Sequence, residues 1–166
     1  MVTSLKFRNI DASPDEPVET WPFEGILAAL ERGTLPDWRR IASVIGKDPW
    51  GAVARQVEQA VAMGLPYGVG PFMTLIIRDA RETRAALERD EVVHDIRRLL
   101  SVSRLSRAEF ASSIGTSTTR LCTYLSGKVN PSASLMVRMR ALAKEKKTAP
   151  LQPDVRRKTS RKATML

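Results

Sequence analysis

The residues of this chain that can do chemistry are hydroxyls and cations, not a catalytic cluster. Between Ser117 and Lys128 the sequence reads STTRLCTYLSGK, with Thr118, Thr119 and Thr123 around Arg120 and Cys122. A threonine hydroxyl both donates and accepts a hydrogen bond, and an arginine fork offers parallel donors to an anion or a polar edge. Such groups recognise; they do not activate a nucleophile. His94 is the only histidine and has no cysteine or second histidine at ligand spacing. Gly68 and Gly70 run into Pro71 and Phe72, so no glycine-rich phosphate loop opens a helix there. No serine stands in a nucleophile motif. The chain is therefore read as a non-enzyme with no metal and no cofactor, and His94 as a surface or packing residue.

The cations are unevenly distributed. Residues 1–88 hold 10 Lys/Arg against 12 Asp/Glu, a balance of −2; residues 89–143 hold 9 against 4, or +5; residues 144–166 hold 8 against 2, or +6. The whole net charge of +9 thus lies in the second half, which suits a polyanionic partner, although a solubilising surface would look the same. With 166 residues the chain is one ordinary domain or two small ones, and 43% apolar against 5% aromatic content points to helices packed on Leu, Ile, Val and Ala. Apolar runs are too short for a membrane span, and the N-terminus lacks the apolar core of a signal peptide. A single cysteine, Cys122, precludes an internal disulfide and fits a reducing cytosol. A cytoplasmic location is expected, with no membrane partner.

The hydroxyl-rich stretch must be positioned by the elements around it. Ser106 with Glu109 makes a capping-box pattern, and Phe110, Ala111 and Ile114 follow on one helical face. Gly115 stands where a helix can end in a left-handed turn. Ser117 can cap a second helix with Leu121, Tyr124 and Leu125 inward, which Gly127 and Pro131 stop before Ser132 opens another helix with Leu135, Met136, Met139 and Leu142 inward. Two short helices joined by a tight glycine turn make a helix-turn-helix, and Ala111 is small enough for the close crossing.

Residues Leu105 to Leu142 resemble the lambda-repressor-like (Cro and Xre type) DNA-binding family, through Leu105, Ser106, Glu109, Phe110, Ala111, Ile114, Gly115, Leu121, Gly127, Asn130, Pro131 and Leu142. The chain departs from the family's usual glutamine at Arg107 and from its frequent acidic residue at Leu125. The resemblance implies major-groove recognition by the helix of residues 117–126, with Thr118, Thr119, Arg120, Cys122 and Thr123 toward base edges. It places Arg107, Ser117, Ser126, Lys128 and Asn130 on phosphates, and Arg104 just before the motif is a further phosphate candidate. Arg120 alone there can make a bidentate guanine contact, or it can grip phosphate. Ser117 and Ser126 can equally be simple helix caps. The implied function is sequence-specific double-stranded DNA binding by a bacterial transcriptional regulator, nucleoid-associated when bound and a homodimer, because one short helix reads few base pairs. The alternative is an antitoxin whose N-terminal lobe binds a toxin, since the segment W-P-F-E…E-R-G…D-W-R-R-I-A…D-P-W-G is similar to N-terminal lobes of such regulators.

The expected fold is all-α: an N-terminal helical lobe, a helical connector, a helix-turn-helix lobe and a disordered basic tail. Residues 1–19 are read as an extended arm, in which the alternating Leu5, Phe7 and Ile10 could instead pack on the body. Residues 20–70 are read as a lobe of three helices starting at Thr20, Asp37 and Asp48-Pro49, with Trp50 in the core. DWRRIASVIG at 37–46 parallels SRAEFASSIG at 106–115, so this lobe holds either a degenerate second helix-turn-helix or a hairpin with the same turn chemistry. The net acidity of the region and its Asp-Pro-Trp helix start favour the hairpin. Residues 71–88 are read as a connector helix, led by Phe72, Leu75, Ile76 and Ile77. Whether 71–102 is one helix of about 48 Å or breaks near Arg89 stays open. Residues 89–143 form the DNA-binding domain and 144–166 the tail.

Overall fold

A computed structural model describes residues 5–148. These residues form seven α-helices and a short 3-10 turn at Val18–Thr20, with no strand among them, so the fold is all-α. The chain divides between Glu88 and Arg89 into two compact units. Among the described residues no helix is long and apolar enough to cross a membrane.

The first unit packs α1 (Phe23–Arg32), α2 (Leu35–Lys47), α3 (Ala52–Met63) and the beginning of α4 (Val69–Ser103). Its core is Ile26, Leu30, Ile41, Ile45, Val57 and Met73, all fully buried, each aliphatic burial stabilising by roughly 1.5–3 kcal/mol. Helix α2 starts at Leu35 instead of Asp37 because Thr34 and Asp37 form a capping box, in which the Thr34 N–H donates to Asp37 Oδ2 at 2.8 Å. Trp38 Nε1 donates to the Ala29 carbonyl at 3.0 Å and ties α2 to the end of α1. Val18–Thr20 make only a 3-10 turn, and α1 begins at Phe23, not Thr20.

The expected arm is part of this core. Leu5, Val18 and Trp21 are buried, and the Phe7 ring meets Trp21 edge-on with centroids 5.1 Å apart. Arg40 donates to the carbonyls of Pro14 and Glu16 at 2.6 and 2.7 Å, and its guanidinium lies 4.9 Å from the Trp21 ring centre. A cation stacked on an aromatic face and bonded to two backbone acceptors holds the segment down. Residues 1–4 of the arm lie outside the described residues.

The second unit contains the end of α4, α5 (Arg107–Ile114), α6 (Thr118–Leu125) and α7 (Ala133–Thr148). Ile96, Phe110, Ala111, Ile114, Leu121 and Met139 form its centre, none more than 1% exposed. Helix α4 runs unbroken through Arg89. Residues 144–148, expected in the tail, are the last turn of α7; the rest of the expected disordered tail, 149–166, lies outside the described residues.

The parallel between 37–46 and 106–115 fails at its glycines. Gly115 is left-handed, with φ 76° and ψ 41°, whereas Gly46 lies inside α2, which continues to Lys47. The helix stops at Asp48 because Pro49 disfavours helical geometry in the residue before it; Asp48 has φ −137° and ψ 86°. Asp48 therefore ends α2 and does not cap α3, whose N-cap is Gly51. The turn that would set up a second reading helix is absent. Trp50 is likewise not core: it is 48% exposed, with the Arg81 guanidinium 5.8 Å from its ring centre. On α4 the inward residues are Val69, Met73 and Ile77, while Phe72 and Leu75 are exposed.

The two glycines should respond oppositely to alanine. Gly46 is helical, and a Cβ there meets nothing within 4 Å, so Gly46→Ala is expected to stabilise by roughly 0.5–1 kcal/mol. Gly115→Ala forces a side chain into left-handed geometry and is expected to destabilise by about 1–2 kcal/mol. Urea denaturation followed by circular dichroism measures both; shifts of the same sign would contradict the backbone geometry at one of them.

Candidate nucleic-acid interface

The hydroxyl-rich stretch is presented by a short helix with capped ends. At the start of α5, the Ser106 N–H and Oγ both donate to Glu109 Oε2, at 2.9 and 2.6 Å, and the Glu109 N–H donates back to Ser106 Oγ at 3.3 Å. These bonds from Ser106 hold the exposed Glu109 carboxyl below its usual pKa. At the far end, the Thr116 N–H reaches back to the Ala111 carbonyl at 2.9 Å across left-handed Gly115. Ser117 Oγ then accepts the Arg120 N–H at 3.2 Å and caps α6. Helix α6 closes the same way: Gly127 is left-handed, and the Lys128 N–H bonds to the Thr123 carbonyl at 3.1 Å.

Three side chains seat α6. Leu121, Tyr124 and Leu125 are buried, at spacings of three and one, so they share one side of the helix. Thr119, Cys122, Thr123 and Ser126 fall on the opposite side at spacings of three and four, with Thr118 and Arg120 on its flanks. Thr118, Thr119, Arg120 and Cys122 are exposed, and Thr123 is half-buried. The Thr123 hydroxyl donates to the Arg120 carbonyl at 2.8 Å, and Ser126 Oγ donates to the Thr123 carbonyl at 3.1 Å. Those two hydroxyls keep acceptor capacity, but their protons are engaged. Arg120 Nε donates to the Tyr124 hydroxyl at 2.8 Å, which steers the guanidinium along the flank and leaves its two terminal nitrogens unpaired among the described residues.

Arg104 sits just past α4 in left-handed geometry (φ 57°), and Arg107 opens α5. Lys128 and Asn130 follow α6 in the loop before α7; all four are exposed. Among the described residues none of Arg104, Arg107, Arg120 and Lys128 has a carboxylate within 4 Å. These four cations, free of an internal carboxylate, flank the hydroxyl-bearing side of α6 in sequence. No group of three histidine, cysteine or acidic side chains able to hold a metal ion occurs among the described residues.

Other arginines of this unit are exposed but bonded to acceptors within it, and the sequence pattern did not single them out. Arg97 of α4 donates to the Leu125 carbonyl at 3.0 Å, and Arg138 of α7 donates to the Ile114 carbonyl at 3.3 Å. Each puts a cation on the carbonyl end of one helix of the pair, where the helix dipole favours positive charge. Asp95 bridges Arg98 at 2.6 Å and Arg140 of α7 at 3.1 Å. The bond from Arg98 chiefly holds the Asp95 carboxyl below its usual pKa; burial opposes it, and the bond from Arg140 adds a smaller lowering. Nothing local marks Arg97, Arg138 and Arg140, since their partners lie 24 to 45 residues away.

Compared with family models, with curated proteins and with solved structures, the chain matches none.

Because the Asp95 carboxyl is more acidic folded than unfolded, its contribution to stability is complete well above the ordinary aspartate pKa of about 3.9 and fades as pH falls through and below it. The pair is partly solvated, so its worth is of order 1 kcal/mol or less. Thermal melts of Asp95→Asn against the parent from pH 7 to 3 should show a lower melting temperature at neutral pH and a difference that shrinks below about pH 4. A constant difference across that range would mean that the ion pairs contribute nothing.

Proposed function

We propose that this chain is a sequence-specific double-stranded DNA-binding protein of the Cro/Xre-like helix-turn-helix kind. It regulates transcription on the bacterial nucleoid, with α6 laid in the major groove. It is a binding protein and not an enzyme. The observation that carries this reading is the solvent side of α6: a short, capped helix seated on Leu121, Tyr124 and Leu125 that turns Thr119 and Cys122 outward, with Thr118 and Arg120 beside them.

In this reading the first turn of α6 enters the groove. Thr118 and Thr119 offer hydroxyl donors and acceptors to base edges and methyl groups to thymine. Arg120 offers its terminal nitrogens to a guanine or to a phosphate at the groove wall, and Cys122 reaches the next base step. The engaged protons of Thr123 and Ser126 suit them to accept a bond or to pack, more than to donate. Arg104, Arg107, Ser117, Lys128 and Asn130 set the register on the phosphates, a task that needs charge and position and no sequence information. Binding blocks or assists polymerase according to where the operator lies.

Fluorescence anisotropy of the full chain on its own upstream duplex and on a scrambled duplex tests this. Preference for the native duplex is expected at about 10³-fold or more. Thr118→Ala with Thr119→Ala should remove much of that preference with little change in salt dependence. Lys128→Ala should weaken both duplexes alike and lower the salt slope by about 1. Equal affinity for the two duplexes, unchanged by the threonine substitutions, would refute base reading by α6.

A further inference from the structure

The first unit is acidic in sum, with a balance of −2 over residues 1–88, yet one face of it gathers cations. Arg39, Arg40 and Lys47 of α2, together with Ser43, line an open cleft of about 370 Å³. The only carboxylate in that lining is Glu19, on the wall opposite. Arg40 is held rigidly: its terminal nitrogens bond the carbonyls of Pro14 and Glu16, and its guanidinium lies 4.9 Å from the Trp21 ring centre. Those partners are neutral, so its charge stays uncompensated. Among the described residues none of Arg39, Arg40 and Lys47 has a carboxylate within 4 Å. Arg39, Ser43 and Lys47 are exposed and recur every four residues, which puts them on a single stripe of α2.

We propose that this stripe grips the phosphodiester backbone of DNA, a contact from the first unit in addition to those of the second. Four residues of helix advance about 6 Å, close to the separation of successive phosphates along one strand. Arg39, Ser43 and Lys47 can therefore meet three phosphates in a row, the outer two through cations and the middle one through a hydroxyl donor. Arg40 adds a fixed positive potential beneath them. A merely solubilising surface intersperses the two signs; here three cations meet one carboxylate. Lys47 also complements the carbonyl end of α2, which accounts for one cation of the three. The contact supplies charge and position and no sequence information, so it needs no second reading turn, which the fold around Gly46 lacks. A free phosphate ion shares this chemistry but occupies one station of the stripe and leaves the others empty.

The inference rests on the DNA-binding reading for the identity of its partner. It concerns different residues and a different quantity, the salt dependence instead of the sequence preference, so the two can fail separately.

Fluorescence anisotropy of the full chain on its upstream duplex and on the scrambled one, over a range of salt concentrations, is the test. Circular dichroism melts confirm that each variant folds. Arg39→Gln with Lys47→Gln should weaken both duplexes alike, by roughly tenfold or more near 0.1 M salt, and lower the salt slope by about 2. The ratio between the two duplexes should not move. Arg32→Gln with Arg78→Gln removes the same charge from exposed positions outside the cleft and should leave the slope as it was. A slope that R39Q/K47Q do not change, in a parent that still prefers its upstream duplex, overturns this contact alone. An equal fall in the Arg32 and Arg78 control overturns it too, because net charge would then explain the effect. A parent that binds neither duplex overturns it together with the DNA-binding reading. Calorimetry with inorganic phosphate at matched ionic strength separates the two sources of the anion. Phosphate uptake that R39Q/K47Q abolish, with the duplex slope unchanged, assigns the cleft to a free ion and overturns the backbone contact.

Discussion

The burial of one side of α6 is the constraint on which the second unit turns. A helix of eight residues is well below the roughly 12–15 residues at which isolated helices become even marginal in water. It persists because Leu121, Tyr124 and Leu125 are removed from solvent in a core with Phe110, Ile114 and Met139. That burial also sets the helix's rotation about its axis. With those three residues inward, Thr119 and Cys122 have nowhere to go but outward, and Arg120 lies on the flank within reach of Tyr124. The outward face is thus a consequence of the core, and a change in the seating of α6 would rotate every outward group with it.

The cations fall into two populations that net charge does not distinguish. Arg97 and Arg138 end on helix carbonyls, Arg98 and Arg140 share Asp95, and in the first unit Arg40 and Arg81 are spent on backbone carbonyls, Glu58 and tryptophan rings. These hold the fold together. Arg104, Arg107 and Lys128 bond to no side chain or carbonyl acceptor of the described residues and stay free for an external anion. A basic composition indicates a polyanion only through the second population. Other exposed cations, Arg32, Arg39, Lys47 and Arg89 among them, are equally free among the described residues, and what sets Arg104, Arg107 and Lys128 apart is their place at the ends of α4, α5 and α6.

Helix α4 shows how one element can serve more than one surface. Val69, Met73 and Ile77 recur every four residues and are buried in the first unit, whereas Phe72 and Leu75, between them, face outward. An unbroken apolar run at its start therefore reads as core on all sides when only one stripe is. The stripe holding Leu75, Arg78 and Glu82 lies outside the core of its own unit.

Much of the second unit was legible in sequence because its determinants are local. The Ser106–Glu109 box, the Ser117 cap, the left-handed glycines at 115 and 127, and the inward set Phe110, Ile114, Leu121 and Tyr124 each depend on residues within one or two turns. Local chemistry also makes the chain all-α. The tertiary structure alone decided that Trp50 faces out, and that Leu5 and Phe7 fold in. It also decided where Arg97, Arg138 and Arg40 end. A helix cap is satisfied within its own turn, so its partners can be named from spacing. Which side of Trp50 is wet, and which carbonyl an arginine reaches 24 to 28 residues away, depends on what the packed chain brings alongside.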